Sequence, residues 1–222
     1  MTKRVLLVVT TADKMNDNEP TGLWLSEFGE AYIAFNKEGY EVTIASPLGG
    51  QAPIDHRSLE GASQEMLDTA NYLTDTLKLD HVTDIDSYDA LFLPGGHGTM
   101  FDMPDNEWLR TIIRSMYESG KVVAAVCHGP AALVNVQLSN GTSLVAGKTI
   151  AAFTDEEERE TTLDRFMPFL LETRLRELGA NVVATPNWTI NIQADANLIT
   201  GQNPQSTEQA ANEVIRYLGG QS

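Results

Sequence analysis

The sequence holds a single cysteine, Cys127, so no disulfide can form within one chain and an oxidising compartment is not indicated. Basic residues are scarce: 15 Lys and Arg stand against 31 Asp and Glu, a formal net charge of -16. No basic stripe is present to neutralise phosphates, which argues against a nucleic-acid partner. Long apolar stretches are missing too, since none reaches the roughly 20 residues that a bilayer-spanning helix needs. The first apolar run ends by Val9 and polar residues follow at once, so it reads as a strand rather than a signal peptide. Repeats and low-complexity segments are also absent. These absences predict a cytoplasmic protein without a membrane or nucleic-acid partner.

What is present suits an α/β fold. The 222 residues, 42% of them hydrophobic, are enough for a sizeable core. They predict one domain, 1–222, with a small polar and weakly helical insertion at about 56–80. The apolar run over 5–9 reads as a central parallel strand. A polar loop over 10–21, a helix over 22–36 and a strand over 40–45 complete a βαβ unit. Further on, 88–93 reads as a strand and 105–119 as a helix, with Trp108, Leu109, Ile112, Ile113 and Met116 in one stripe. The valine-rich run 122–126 is the next strand. Residues 144–145 and 149–153 read as short strands, the acidic segment 154–160 as a helix start, and 168–178 as an amphipathic helix. A strand over 181–184, a strand pair at 188–192 and 196–200, and a helix over 207–218 close the chain. The alternation predicts a three-layer α/β/α sandwich with a mostly parallel central sheet.

The strand at 122–126 runs straight into Cys127, His128 and a segment read as a helix. A side chain on such a turn is pushed out at the carboxyl edge of the sheet. Free amides and the helix dipole there would lower a thiol pKa, which predicts a thiolate nucleophile at Cys127. Pro94-Gly95-Gly96-His97-Gly98 also follows a strand directly, with neither Walker nor dinucleotide spacing. If the two loops meet, the amides of Gly96 and His128 form an oxyanion hole. His128 is the candidate base, oriented by Glu156, Glu157 or Glu158. Glu27 lies within an otherwise apolar stretch; facing a thiolate, its pKa would rise and it would serve as a proton donor or acceptor. Of the other histidines, His56 and His81 fall in polar surface loops. His97, His128, Cys127 and a Glu could meet at the strand ends, yet without H-E-x-x-H spacing or a second cysteine no metal ion is expected. Trp24 and Trp188 are candidates to border a pocket. Each feature has a plainer reading: a buried cysteine, a tight glycine turn, a solvated carboxylate, or an acidic helix start that suits the dipole.

Taken together, Pro94-Gly95-Gly96-His97-Gly98 and Ala125-Val126-Cys127-His128-Gly129-Pro130 resemble the DJ-1/ThiJ/PfpI superfamily. The similarity is greatest to its Hsp31-like branch, also labelled class I glutamine amidotransferase-like. Comparable segments run from Ser46-Pro47 to Pro53-Ile54-Asp55, from Phe153 to Glu158, and from Leu198 to Pro204. The resemblance implies a flavodoxin-like sandwich with Cys127 on its elbow, Glu27 hydrogen-bonded to the sulfur, and Gly96 and His128 amides as the anion hole. It implies a triad of Cys127, His128 and a downstream acid; matching from Phe153 puts that acid on Glu158, with Glu157 one residue away. It further implies a glutathione-independent glyoxalase (glyoxalase III, a lyase resembling D-lactate dehydratase) that uses no cofactor. Such an enzyme turns methylglyoxal or related 2-oxoaldehydes into 2-hydroxy acids through a cysteine hemithioacetal. A homodimer is also implied. The alternatives are a stress-related holdase chaperone, a cysteine redox sensor, or an amidase or peptidase. Glutamine amidotransferases carry their histidine far downstream of the nucleophile, and no histidine lies beyond His128 here.

Overall fold

The apolar run near the amino terminus forms β1 (Arg4–Val8), whose last four residues are buried, as a strand covered on both faces requires. A computed structural model describes residues 2–220; Met1, Gln221 and Ser222, the ends of the predicted 1–222 domain, lie outside them. The stretch read as a polar loop holds a small hairpin, β2 (Lys14–Asn16) with β3 (Glu19–Pro20). It is too short for alternation to reveal. Next come α1 (Leu25–Lys37) and β4 (Glu41–Ser46). The 56–80 segment contains α2 (Gln64–Thr69) and ends in β5 (Leu77–Lys78), which pairs in parallel with β4 as an edge strand.

β6 (Ala90–Leu93) is followed by a single turn, α3 (Thr99–Asp102), then α4 (Glu107–Glu118) and β7 (Val122–Val126). The remaining elements are β8 (Thr149–Ile150), α5 (Asp155–Thr161), α6 (Leu171–Glu177), β9 (Asn181–Val182), β10 (Ile192–Asp195), β11 (Leu198–Gly201) and α7 (Thr207–Gly219). Some expected boundaries shift. Leu144 and Val145 are buried without forming a strand, and only the first two residues of 149–153 pair. The strand expected from Trp188 begins at Ile192, because Trp188 sits in a turn with a positive φ of 61°. Trp108 lies at the edge of the α4 stripe, half-exposed, and its indole N–H donates to the Val82 carbonyl.

Among the described residues, the central sheet has seven strands in the order β10-β11-β7-β6-β1-β4-β5, parallel except for β10. Side chains alternate between two cores, as the pleat dictates. Leu6, Val8, Leu91, Leu93, Val123 and Ala125 pack with α4 on one face. Val5, Leu7, Phe92, Ala124 and Val126 pack with α1 and α7 on the other. This is the α/β/α sandwich expected from the sequence. β1 has β4 on one side and β6 on the other, so the winding reverses there. In open parallel sheets such a reversal leaves a crevice at the carboxyl ends of the strands. No helix among the described residues is long and apolar enough to cross a membrane.

Candidate active site

Cys127 follows β7 directly and adopts a left-handed φ of 58°, uncommon for a residue with a side chain. The turn is pinned on both sides. The Cys127 N–H donates to the Gly201 carbonyl, and its own carbonyl accepts from the Phe153 N–H, each at 2.9 Å. The segment beyond is a five-residue 3-10 run, Gly129–Leu133, rather than the expected helix. It is too short to develop a sizeable dipole.

Cys127 is only 4% exposed, and burial, together with the adjacent Glu27 carboxyl, pushes its thiol well above the usual range. The sulfur is thus buried rather than exposed as expected, and its surroundings favour the neutral thiol over the thiolate. Glu27 is fully buried near the start of α1. Burial raises its pKa to about 8, against the lowering effect of a 2.6 Å hydrogen bond from the Gly95 N–H to Oε2. Oε1 has no hydrogen-bond partner among the described residues, so the expected hydrogen bond to the sulfur is not formed, although the thiol is a close neighbour.

Two histidines share one carboxylate. His128 Nε2 lies 2.5 Å from Glu158 Oε2, and His97 Nε2 lies 2.6 Å from Glu158 Oε1. The imidazole rings are 4.2 Å apart. Burial would raise the Glu158 pKa, but His128 and His97 together hold it well below the usual carboxylate range. An ionised Glu158 can only accept, so each imidazole donates from Nε2, and a ring that carries only that proton has its lone pair on Nδ1. His128 Nδ1 is 3.4 Å from the Cys127 sulfur and can take its proton. His97 is pushed down by burial and by its neighbour His128 and stays neutral. Its Nδ1 is buried without a partner.

The three donors His97, His128 and Glu158 are close enough to be considered as metal ligands. Their nitrogens and oxygens, however, touch one another. The Nε2 atoms are instead taken up by the two Glu158 oxygens at 2.5 and 2.6 Å, closer than ligands arranged around an ion at about 2.0–2.1 Å would sit.

Glu157, the neighbouring acid, points elsewhere. Its carboxylate caps the Thr154 end of α5 and reaches Trp188, Gln202 and Asn203. The geometry thus pairs Glu158, rather than Glu157 or Glu156, with His128. His97 was weighed in the sequence only as a metal ligand; its partnership with Glu158 depends on a contact between residues 61 apart, which no local pattern reports. His56 and His81 are exposed, as expected.

The glycine loop meets the elbow because it lacks side chains. A Cβ on Gly95 would lie 2.7 Å from the His128 nitrogen and 2.8 Å from Glu27 Oε2. Gly96 has a φ of 104°, and a Cβ there would lie 2.4 Å from the Gly22 carbonyl oxygen. Gly96→Ala therefore meets rigid backbone as well as an unfavourable φ. We expect a loss of about 3 kcal/mol, read as a fall in the urea midpoint; an unchanged midpoint would show that the loop can move aside. Among the described residues, no carbonyl accepts from the Gly96 or His128 amide. Both residues border a cavity of about 50 Å³ over the sulfur. Trp24, Phe153, Trp188 and Pro204 form its apolar walls.

Known proteins match the chain along nearly its whole length. The sequence profile of the DJ-1/PfpI family matches residues 3–217. The chain is 32% identical to "Glyoxalase 3" of Candida albicans, over 96% of this chain and 97% of that protein. It is 31% identical to "Glutathione-independent glyoxalase HSP31" of Saccharomyces cerevisiae, over 97% and 98% of the two. Its fold is similar to the crystal structure of glyoxalase III from Candida albicans, with a TM-score of 0.87 at 29% identity, covering 96% of each chain.

Proposed function

From the premise that the chain belongs to the DJ-1/PfpI family, we propose that it is a glutathione-independent glyoxalase acting on methylglyoxal or a related small 2-oxoaldehyde. The observation that carries this reading is the position of the Cys127 sulfur, beneath a small apolar cavity and 3.4 Å from a base that Glu158 orients. The names of the full-length relatives supply the reaction class.

The sulfur attacks the aldehyde carbon C1 as its proton passes to His128 Nδ1. A C–S bond forms and the carbonyl π pair moves onto oxygen. Glu158 stabilises the imidazolium, and the Gly96 and His128 amides receive the oxyanion. His128 returns the proton to that oxygen, giving the hemithioacetal. Glu27 has a pKa near working pH, as a general base should. Its carboxylate form takes the C1 hydrogen; the C–H pair becomes the C1–C2 double bond and the C2 carbonyl π pair moves onto its oxygen, giving an enediolate. Glu27 then protonates C2 while the C1 hydroxyl proton moves to the C2 oxygen, leaving a thioester. Water attacks that carbonyl, the C–S bond breaks, and the sulfur recovers a proton. C1 is oxidised by two electrons and C2 reduced by two, so no external electron carrier enters the balance.

The proposal includes the lyase assignment, cytoplasmic location, and a homodimer without nucleic-acid or membrane partners. The exposed apolar side chains Leu48, Leu59, Leu67, Tyr72 and Leu77 offer surface for a second copy, or for clients if the protein is also a holdase. Two alternatives lose ground. A buried thiol whose surroundings disfavour the thiolate is a poor peroxide target, which disfavours the redox sensor. A cavity of about 50 Å³ does not admit a polypeptide, which disfavours the peptidase. The test is a chiral lactate assay with purified protein, methylglyoxal and no thiol cofactor. One 2-hydroxy acid should form per aldehyde consumed; unconsumed aldehyde at high enzyme concentration would remove the proposal.

A further inference from the structure

Trp188 is held in place by more than packing. Its left-handed φ of 61° is rare for a bulky residue, so the surroundings must impose it. Its backbone N–H donates to Glu157 Oε1 at 2.9 Å, and its indole N–H to Glu160 Oε2 at 2.5 Å. Glu157 is itself immobile. Oε1 also accepts from Gln202 and Asn203, and Oε2 from the Thr154 amide and hydroxyl. A fully buried carboxylate with all its lone pairs occupied is a rigid anchor.

The indole lies at the boundary between the site and water. One edge packs on Phe153 at 5.6 Å between ring centres, and Phe153 in turn lies 4.3 Å from the His128 ring. The residue is 36% exposed while also lining the cavity over Cys127. Removing the indole would therefore join that cavity to solvent on one side and enlarge it.

We propose that Trp188 is the size filter of the site, admitting 2-oxoaldehydes whose C2 substituent is about the size of a methyl group and rejecting aryl ones. Glu157 and Glu160 are the positioning residues that fix the indole. The substrate class rests on the glyoxalase reading, whereas the steric claim rests on geometry alone. The neighbouring acids of α5 thus divide the work: Glu158 serves the histidines and Glu157 the wall.

Two readouts keep the two claims apart. The first is the ratio of kcat/KM for methylglyoxal to that for phenylglyoxal. Trp188→Ala should lower it by about tenfold or more, the range in which a pocket distinguishes side chains. Glu160→Gln, which keeps the ring but weakens its hold, should lower it less. The second needs no turnover: the rate of Cys127 alkylation by iodoacetamide against N-phenylmaleimide, followed by mass spectrometry. Trp188→Ala should favour the bulky reagent by a similar factor, with Trp188→Phe as the folded control that retains a ring. An alkylation ratio that moves without any lactate formation would uphold the filter and sink the glyoxalase. An alkylation ratio unchanged in Trp188→Ala and in Glu160→Gln would overturn the filter, whatever the turnover.

Discussion

Cys127→Ala is expected to abolish lactate formation, a loss of about 10⁴-fold or more, since every covalent step runs through the sulfur. The fold should persist. The alanine keeps a Cβ, and the two backbone bonds that pin the elbow, to Gly201 and from Phe153, do not involve the side chain. The missing sulfur leaves a small void beside Glu27, so the melting temperature should fall by only a few degrees, corresponding to about 1 kcal/mol. Cys127→Ser should not rescue activity, because a hydroxyl gives up its proton far less readily to His128. Lactate production by either folded variant would place the chemistry elsewhere in the chain.

The second large effect belongs to Glu27. Glu27→Gln preserves an acceptor for the Gly95 N–H and a donor towards sulfur, yet it cannot carry a proton. We expect kcat to fall by about 10²- to 10⁴-fold, the usual contribution of a positioned acid or base. In the native protein the rate should rise with pH through a midpoint near 8, where the buried carboxyl ionises. That limb should be missing from the variant; an identical profile in both would show that Glu27 only positions the sulfur.

The same ionisation acts on stability in the opposite direction. With a folded pKa of about 8 against an ordinary 4.5, the native state holds a proton that the unfolded chain releases. The resulting stability is fully present below pH 4.5 and is lost as pH rises towards 8, an upper bound of about 5 kcal/mol at 1.36 kcal/mol per unit. Urea unfolding at pH 5 and pH 9 should therefore show Glu27→Gln gaining on the native protein at the higher pH. Glu30, raised by burial and by Glu208 to about 7, adds a loss of the same sign in both proteins. Glu158 behaves conversely: its lowered pKa contributes stability above pH 4.5 that disappears on acidification.

Much of this arrangement is legible in the sequence, where chemistry and chain order coincide. The strands β1, β6 and β7 are buried on both faces and so read as unbroken apolar runs. Cys127 and Gly95-Gly96 advertise themselves by following two of those strands. Residue chemistry alone does not separate Glu158 from Glu157, because either suits an acidic helix start; the family resemblance points to Glu158, and the rotation of α5 turns that residue to His128. The upward push on the thiol is also hidden: it follows from burial and from Glu27, a residue 100 positions away in the chain. The 188–192 segment reads as a strand by composition, but side-chain carboxylates hold Trp188 in a conformation no propensity favours. The contact of His97 with Glu158 arises only through folding.

The capping box at Thr154 has a wider consequence for how this region can vary. It sets the rotational phase of α5, and adjacent residues there differ by about 100° around the axis. Inserting or deleting one residue between Phe153 and Glu157 would swing both acids off their targets at once, silencing the histidines and unseating the indole together. Length changes at this junction should therefore be far less tolerated than substitutions on the solvent side of the same helix.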